Sequence, residues 1–250
     1  MILSAPAAGS FFVRTPAMEL QLSNLHRHFD RLQQQYGCPD LDSIYGAGCI
    51  DKPDLCLIFM NPTSRNIAAD RHWKGLKAPW LGTKNSWKLF QGIGILSQQT
   101  LAEIQSKKPA DWDEDFAEKI YREIAANKAY VTNLGKCTQS DASPVSNTVF
   151  KQYLTLLEQE IDQIRPQTVI TFGNQVSSLF LNQPVCVSQQ RRTAIKRQST
   201  TAVTTFFRYF IRSDRECGIW APQSRISALS LKNGAETTQH ENSFYRRQQF

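Results

Sequence analysis

The chain has 250 residues, 41% of them hydrophobic and 20% charged, which is close to an ordinary soluble domain and excludes global disorder. Its formal charge of +7 and pI near 9.1 permit a phosphate-rich partner such as nucleic acid, although part of that charge lies in the closing stretch. No apolar run reaches the roughly 18 residues that span a bilayer. The opening "MILSAPAAGSFFVRTPAME" also lacks a basic segment ahead of an apolar one, so no membrane partner and a cytoplasmic location are expected.

In chain order, residues 1–17 read as a flexible segment, with Met18 an equally good start. Leu22, Leu25, Phe29 and Leu32 recur at helical spacing and predict an amphipathic helix from about Met18 to Tyr36. After a glycine-rich connection containing "YGAGC", "DLCLIFM" reads as a buried strand. "NSWKLFQGIGIL" then returns to a helical pattern from Asn85, and a further helix covers Asp113 to Ala126 on Phe116, Ile120 and Ile124. "KAYVTNLGKC" is a second strand that stops at Asn133. Val149, Phe150, Tyr153, Leu154, Leu157, Ile161 and Ile164 mark a long helix stopped by Pro166. "QTVITFG" is the third strand, and Gly173 leads into the short helix "NQVSSLFL".

Strands alternating with helices predict a parallel sheet covered on both faces. Ligands bind such sheets at the carboxyl ends of the strands, which places Asn61, Asn133 and Gly173 on the functional edge. Six cysteines, Cys38, Cys49, Cys56, Cys137, Cys186 and Cys217, contain no CxxC pair and read as reduced thiols in or near the core.

Three segments on that edge have unusual composition for turns: "FMNPT", "KAPWLGTKN" and "VTNLGKC". Singly, each has a structural reading: Asn-Pro as a turn starter, Pro79-Trp80 as a packed loop, Asn133 as a strand terminator. Together, in this order and spacing, they resemble the uracil-DNA glycosylase superfamily. Phe59-Met60-Asn61-Pro62-Thr63 is similar to the family's water-activating G-M-N-P-G motif. Lys77 to Gly82 is similar to its G-R-P-F-V-G loop, and Thr132 to Cys137 to its T-N-x-x-K-C strand end. "RPQTVITFGNQVSSLFL" looks like its P-x-x-I-x-x-L-G segment, so the resemblance runs from about Leu55 to Leu181.

The resemblance implies an α/β class with a three-layer α/β/α architecture, a central, mainly parallel four-stranded sheet, and flipping of uracil or a related damaged base out of DNA for hydrolysis. A flipped base costs a few kcal/mol of stacking and needs a compensating surface, which Trp80 would supply beside Met60. The Asn133 amide has both a carbonyl and an NH2, so it can accept from uracil N3-H while donating to O4; cytosine presents the reverse pattern. Asn61 is no base, but its oxygen can orient a water toward the anomeric carbon, and Pro62 stiffens the turn that aims it. Arg65, Asn66, Lys74, Lys77 and Lys84 flank these motifs and either contact phosphates or form a solvated rim. Arg191, Arg192 and Lys196 belong to the basic cluster "QQRRTAIKRQ", which either tracks the DNA backbone or is an exposed loop.

The chain departs from the family at Phe59, usually Gly, and at Thr63, usually Gly or Tyr. Of the cysteines of the iron-sulfur branch only Cys137 matches, so neither a cluster nor any other metal or cofactor is expected. The chain also lacks the second motif, typically H-P-S on a fourth strand, since none of His26, His28, His72 and His240 is followed by Pro. The tail from about Arg208 carries no helix or strand period beyond its first residues, so if the tail is genuine the fourth strand and its helix are expected to be altered or missing. Codons for Phe210 to Trp220, "FIRSDRECGIW", can read Tyr-Pro-Val-Gly-Gln-Gly-Met-Arg-Asn-Met in a shifted frame, which predicts that the tail after about Phe206 is out of frame. The expected organisation is a flexible segment (1–17), one domain (18–207) and an atypical tail (208–250), forming a monomeric enzyme or a catalytically impaired DNA-binding relative.

Overall fold

The computed structural model describes residues 16–186, 195–198 and 203–209, and the side chains of 21–186. Residues 210–250 of the expected tail, most of the N-terminal segment, and Arg191 and Arg192 lie outside the described residues. The elements run α1 (Pro16–Tyr36), β1 (Ala47–Gly48), β2 (Leu55–Phe59), α2 (Asn85–Gly92), α3 (Gln98–Ser106), α4 (Glu114–Ala126), β3 (Ala129–Asn133), α5 (Asn147–Ile164), β4 (Thr168–Phe172), α6 (Asn174–Leu181), β5 (Ile195–Gln198) and β6 (Val203–Tyr209).

The sheet order is β1-β3-β2-β4-β6-β5. The four inner strands are parallel, as the alternation of strands and helices predicts, and the short outer strands β1 and β5 pair antiparallel. The fourth parallel strand is therefore present: β6 pairs with β4 from Thr168↔Thr205 to Phe172↔Tyr209. Its Val-Thr-Thr-Phe-Phe run supplies the β-branched and aromatic residues that suit a strand. The expected parallel four-stranded core is thus complete, the fourth strand is in place rather than altered or missing, and β6 crosses the expected boundary at residue 207. Lys196, expected in a basic cluster that either tracks the DNA backbone or is an exposed loop, lies on β5.

Alternate residues of the inner strands feed two cores. Cys56, Ile58, Tyr130 and Val169 pack with Phe29 of α1, Tyr153 and Leu157 of α5 and Val176 of α6. On the opposite face Phe59 stacks on Phe172 with ring centroids 4.3 Å apart, and Phe90 of α2 lies 6.0 Å from Phe59. Trp87 extends this second layer to Tyr121 of α4.

The helix starts follow local chemistry. Asp113 accepts from the Phe116 N–H at 2.7 Å, Ser97 from Thr100 at 3.1 Å and Ser146 from Val149 at 3.4 Å, each satisfying an orphan donor of the first turn. Asp113 is thus the cap of α4 and not its first residue. Among the described residues, no helix is long and apolar enough to cross a membrane.

Candidate active site

β2 and β3 end in register at Phe59↔Asn133, and the chain leaving each remains paired with the other. Leu134 N–H donates to Phe59 O at 2.7 Å, Gly135 N–H to Met60 O at 2.9 Å, and Gln139 N–H to Pro62 O at 3.1 Å. Ser64 N–H closes the lacing on Gln139 O at 2.9 Å. This brings Asn61 against Gly135, where a Cβ would lie 2.8 Å from the Phe150 ring and 3.6 Å from Asn61 Cβ, so the approach requires glycine. Asn61 Nδ2 donates to Pro62 O at 3.0 Å. That bond fixes the amide and leaves Oδ1 buried without a hydrogen-bond partner.

The loop carrying Trp80 is braced from several sides. Tyr121 hydroxyl donates to Pro79 O at 2.6 Å, and Trp80 O accepts from Thr83 N–H at 3.0 Å and Thr83 hydroxyl at 2.6 Å. Trp80 sits at φ +69°, in the left-handed region that strains any side chain but glycine. Its ring meets Phe59 edge-on, 4.9 Å between centroids at 81°, and its Nε1 is buried without a partner. Phe59 therefore links two aromatic contacts, each worth about 0.5–1.5 kcal/mol beyond burial. Asn66, expected on the phosphate rim, is instead buried at 4% exposure: its Oδ1 accepts from Ala68 N–H and its Nδ2 donates to Ala78 O at 2.8 Å. It has no free group for a phosphate because both ends of its amide tie two loops together.

Asn133 is 2% exposed, and its Nδ2 also lacks a partner. Its backbone carbonyl accepts from Lys136 Nζ at 2.6 Å. Lys136 is fully buried and pairs with Glu160 at 2.7 Å; Glu160 in turn accepts from Tyr130 hydroxyl at 2.6 Å and Thr132 hydroxyl at 3.0 Å. Burial pushes the Lys136 ammonium below the usual lysine range while Glu160 pulls it back up, and burial beside Glu160 raises the Tyr130 phenol well above its ordinary value.

The remaining expected residues are scattered. Met60 is half-buried against the core of α1, α5 and α6. Arg65 is exposed; Lys84 is exposed and its Nζ donates to Gln105 O at 2.7 Å. Lys77 is only 22% exposed and pairs with Asp42, so its charge is already compensated inside the loop layer. Among the described residues, no three His, Cys, Asp or Glu side chains converge as metal ligands do. An open groove of about 610 Å³ between α5 and α6, edged by Asn147, Lys151 and Gln175, is lined by none of Asn61, Trp80 and Asn133.

Asn61, Trp80 and Asn133 thus share one sheet edge, and each holds a buried polar atom with nothing to bond: an acceptor on Asn61 and donors on Trp80 and Asn133. Leaving such a group unpaired costs about 1–3 kcal/mol, so a water or a polar ligand is expected to meet each, as at Ser43, Trp87 and Gln163, which also hold a buried polar atom without a protein partner. Two features escaped the sequence reading. Phe59 stood out as a departure but not as the partner of Trp80 and Phe172, because that contact joins three segments. Glu160 carried a visible signal: it is a charge set into the apolar stripe Tyr153, Leu157, Ile161 and Ile164. Residues 46–246 match the family model described as the uracil DNA glycosylase superfamily. Comparison with curated proteins gives no match.

Proposed function

The chain belongs to the uracil DNA glycosylase superfamily, and from that premise we propose that it is a monofunctional hydrolase that flips uracil or a related damaged base out of DNA and breaks its N-glycosidic bond. The reading is carried by one observation: the three residues that the motifs mark for water, stacking and base recognition lie at the carboxyl edge, each with a buried polar atom that has no protein partner. In this reading the flipped base lies against Trp80, and Asn133 Nδ2 donates to O4 where negative charge grows as the bond to the sugar lengthens. Asn61 Oδ1 accepts a hydrogen bond from a water and aims its oxygen at the anomeric carbon. The water oxygen bonds to that carbon, the base leaves with the bonding electrons, and the water proton is released to solvent. Arg65 and Lys84 on the exposed rim, with Arg191, Arg192 and Lys196, are proposed to meet phosphates. Lys77 joins them only if DNA displaces Asp42. The protein is proposed to act as a cytoplasmic monomer, without metal or cofactor.

A second reading, a DNA-binding relative with impaired chemistry, is favoured by the histidines: none is followed by Pro, and His72 is an exposed side chain pairing with Asp70 at 3.0 Å. One experiment separates the two. Purified protein is incubated with labelled single- and double-stranded DNA containing uracil, abasic sites are cleaved with alkali, and Asn61→Ala serves as control. Cleavage lost in the variant is the expected result. Binding of uracil-containing DNA without cleavage by either protein establishes the second reading.

A further inference from the structure

Lys136 and Glu160 form a buried ion pair, 0% and 2% exposed, that the proposed chemistry does not use. A pair of this kind is poor value for stability, because removing two charges from water offsets most of their attraction, and apolar residues of similar volume serve as well. Its connections suggest another use. Glu160 is fixed by Tyr130 and Thr132, both on β3, at 2.6 and 3.0 Å. Gly46 packs so tightly here that a Cβ would lie 2.1 Å from the Tyr130 hydroxyl and 2.4 Å from Glu160 Oε1. Lys136 donates in turn to Thr132 and to the Asn133 carbonyl, while its ammonium lies 5.1 Å from the centre of the Phe29 ring. The turn from Asn133 to Lys136 is thereby closed on itself. The N–H groups of Leu134 and Gly135, within the same turn, hold Phe59 O and Met60 O next to Asn61.

We propose that Lys136, held by Glu160, is a positioning residue that sets the Asn133 amide and, through the Leu134 and Gly135 hydrogen bonds, the Asn61 amide. The inference rests on the glycosylase reading for its kinetic consequence, but not for its structural one. The ammonium never touches the base; it fixes the backbone from which the reading amide projects. Its loss therefore lowers the rate of bond cleavage more than the affinity for DNA, because the rim that meets the phosphates is elsewhere.

The test uses the full chain as wild type, Glu160→Gln and the double variant Lys136→Met/Glu160→Gln. The double variant leaves no buried charge unpaired, and the amide oxygen that replaces the Glu160 carboxylate still accepts from Tyr130 and Thr132, so folding is verified by its thermal midpoint. Two readouts are taken: kcat and KM on uracil-containing single-stranded DNA, and side-chain amide resonances of protein labelled with ¹⁵N-asparagine. Asn133→Asp and Asn61→Asp assign the signals. The expected result is a kcat lower by about 10-fold or more at nearly unchanged KM, with the Asn133 and Asn61 amide signals displaced together. A folded double variant with wild-type kcat and unmoved signals overturns the proposal. If wild type releases no base from any strand, the glycosylase reading fails by itself, and the spectra decide the positioning: unmoved signals overturn it and joint displacement upholds it. Should the double variant not fold, Glu160→Gln is read by the same criteria, since it weakens the hold on Lys136 while keeping the acceptor.

Discussion

Trp80 combines a large aromatic ring with a left-handed backbone, a conformation that costs a non-glycine residue about 1–3 kcal/mol. Replacing it therefore separates stability from function. Trp80→Ala keeps the backbone strain and loses the ring, whereas Trp80→Gly loses both. Trp80→Gly is expected to be the more stable of the two by about 1 kcal/mol in denaturant titration, reversing the usual order of these residues. Base release should fall to a similar extent in both, roughly 5- to 100-fold in kcat/KM, which corresponds to one lost stacking platform. Asn133→Asp tests recognition in the same way: a carboxylate accepts but does not donate, so the contact to uracil O4 becomes repulsive. Uracil release should fall by roughly 10- to 100-fold, measured by single-turnover cleavage. Motif spacing put Asn61 and Asn133 at or just past strand ends and Trp80 in the loop ahead of α2, which is where the fold has them. Asn66 was misleading for a physical reason, since polarity in a sequence does not say whether the partner is solvent or another part of the chain. Asn66 caps a turn and holds Ala78 O; Lys77 faces Asp42.

Among the elements, β2, β3, β4 and the long helices could be read from their apolar runs and periods, with α5 the clearest case, whereas β5 and β6 were not read as strands. α3 could not, because Leu101 and Ile104 are its only large buried residues and its start depends on the Ser97 cap. β1 is two residues long and exists through pairing with β3, a contact far away in sequence. The turn after β3 carries the sharpest dependence at this scale. Gly135→Ala would set a methyl 2.8 Å from the Phe150 ring and force the turn away from Met60. We expect it to destabilise the fold by about 1–3 kcal/mol and to reduce activity beyond what that loss explains, checked by chemical denaturation beside a cleavage assay under fully folding conditions. A milder control is Asp113→Ala, which removes the cap of α4 and should cost about 1 kcal/mol without changing kcat.

At the scale of the molecule, one histidine predicts a pH response. His26 stacks on Tyr45 at 3.8 Å, and burial holds its pKa below the ordinary 6.5, against the upward pull of Glu160 and Asp30. The unfolded chain then binds the proton more readily than the folded one, so this group's contribution to stability falls as pH drops below 6.5. His26→Phe keeps a ring on Tyr45 and should flatten that part of the thermal midpoint against pH. The tail after about Phe206 makes a genetic prediction: resequencing should reveal a single insertion or deletion that restores the Tyr-Pro-Val-Gly reading, and repair should raise activity. An uninterrupted frame there would sink the idea.

The lacing between the segments after β2 and β3 has a kinetic meaning as well. Because Asn61 and Asn133 hang from hydrogen bonds that prolong the central sheet, the backbone that carries their amides is expected to open only when the sheet does. In deuterium, the Leu134, Gly135 and Gln139 amides should exchange as slowly as those of β3. On the proposed glycosylase reading, conformational selection then falls to the nucleic acid, and a lesion is expected to be sampled at the rate at which a strand offers an extruded base.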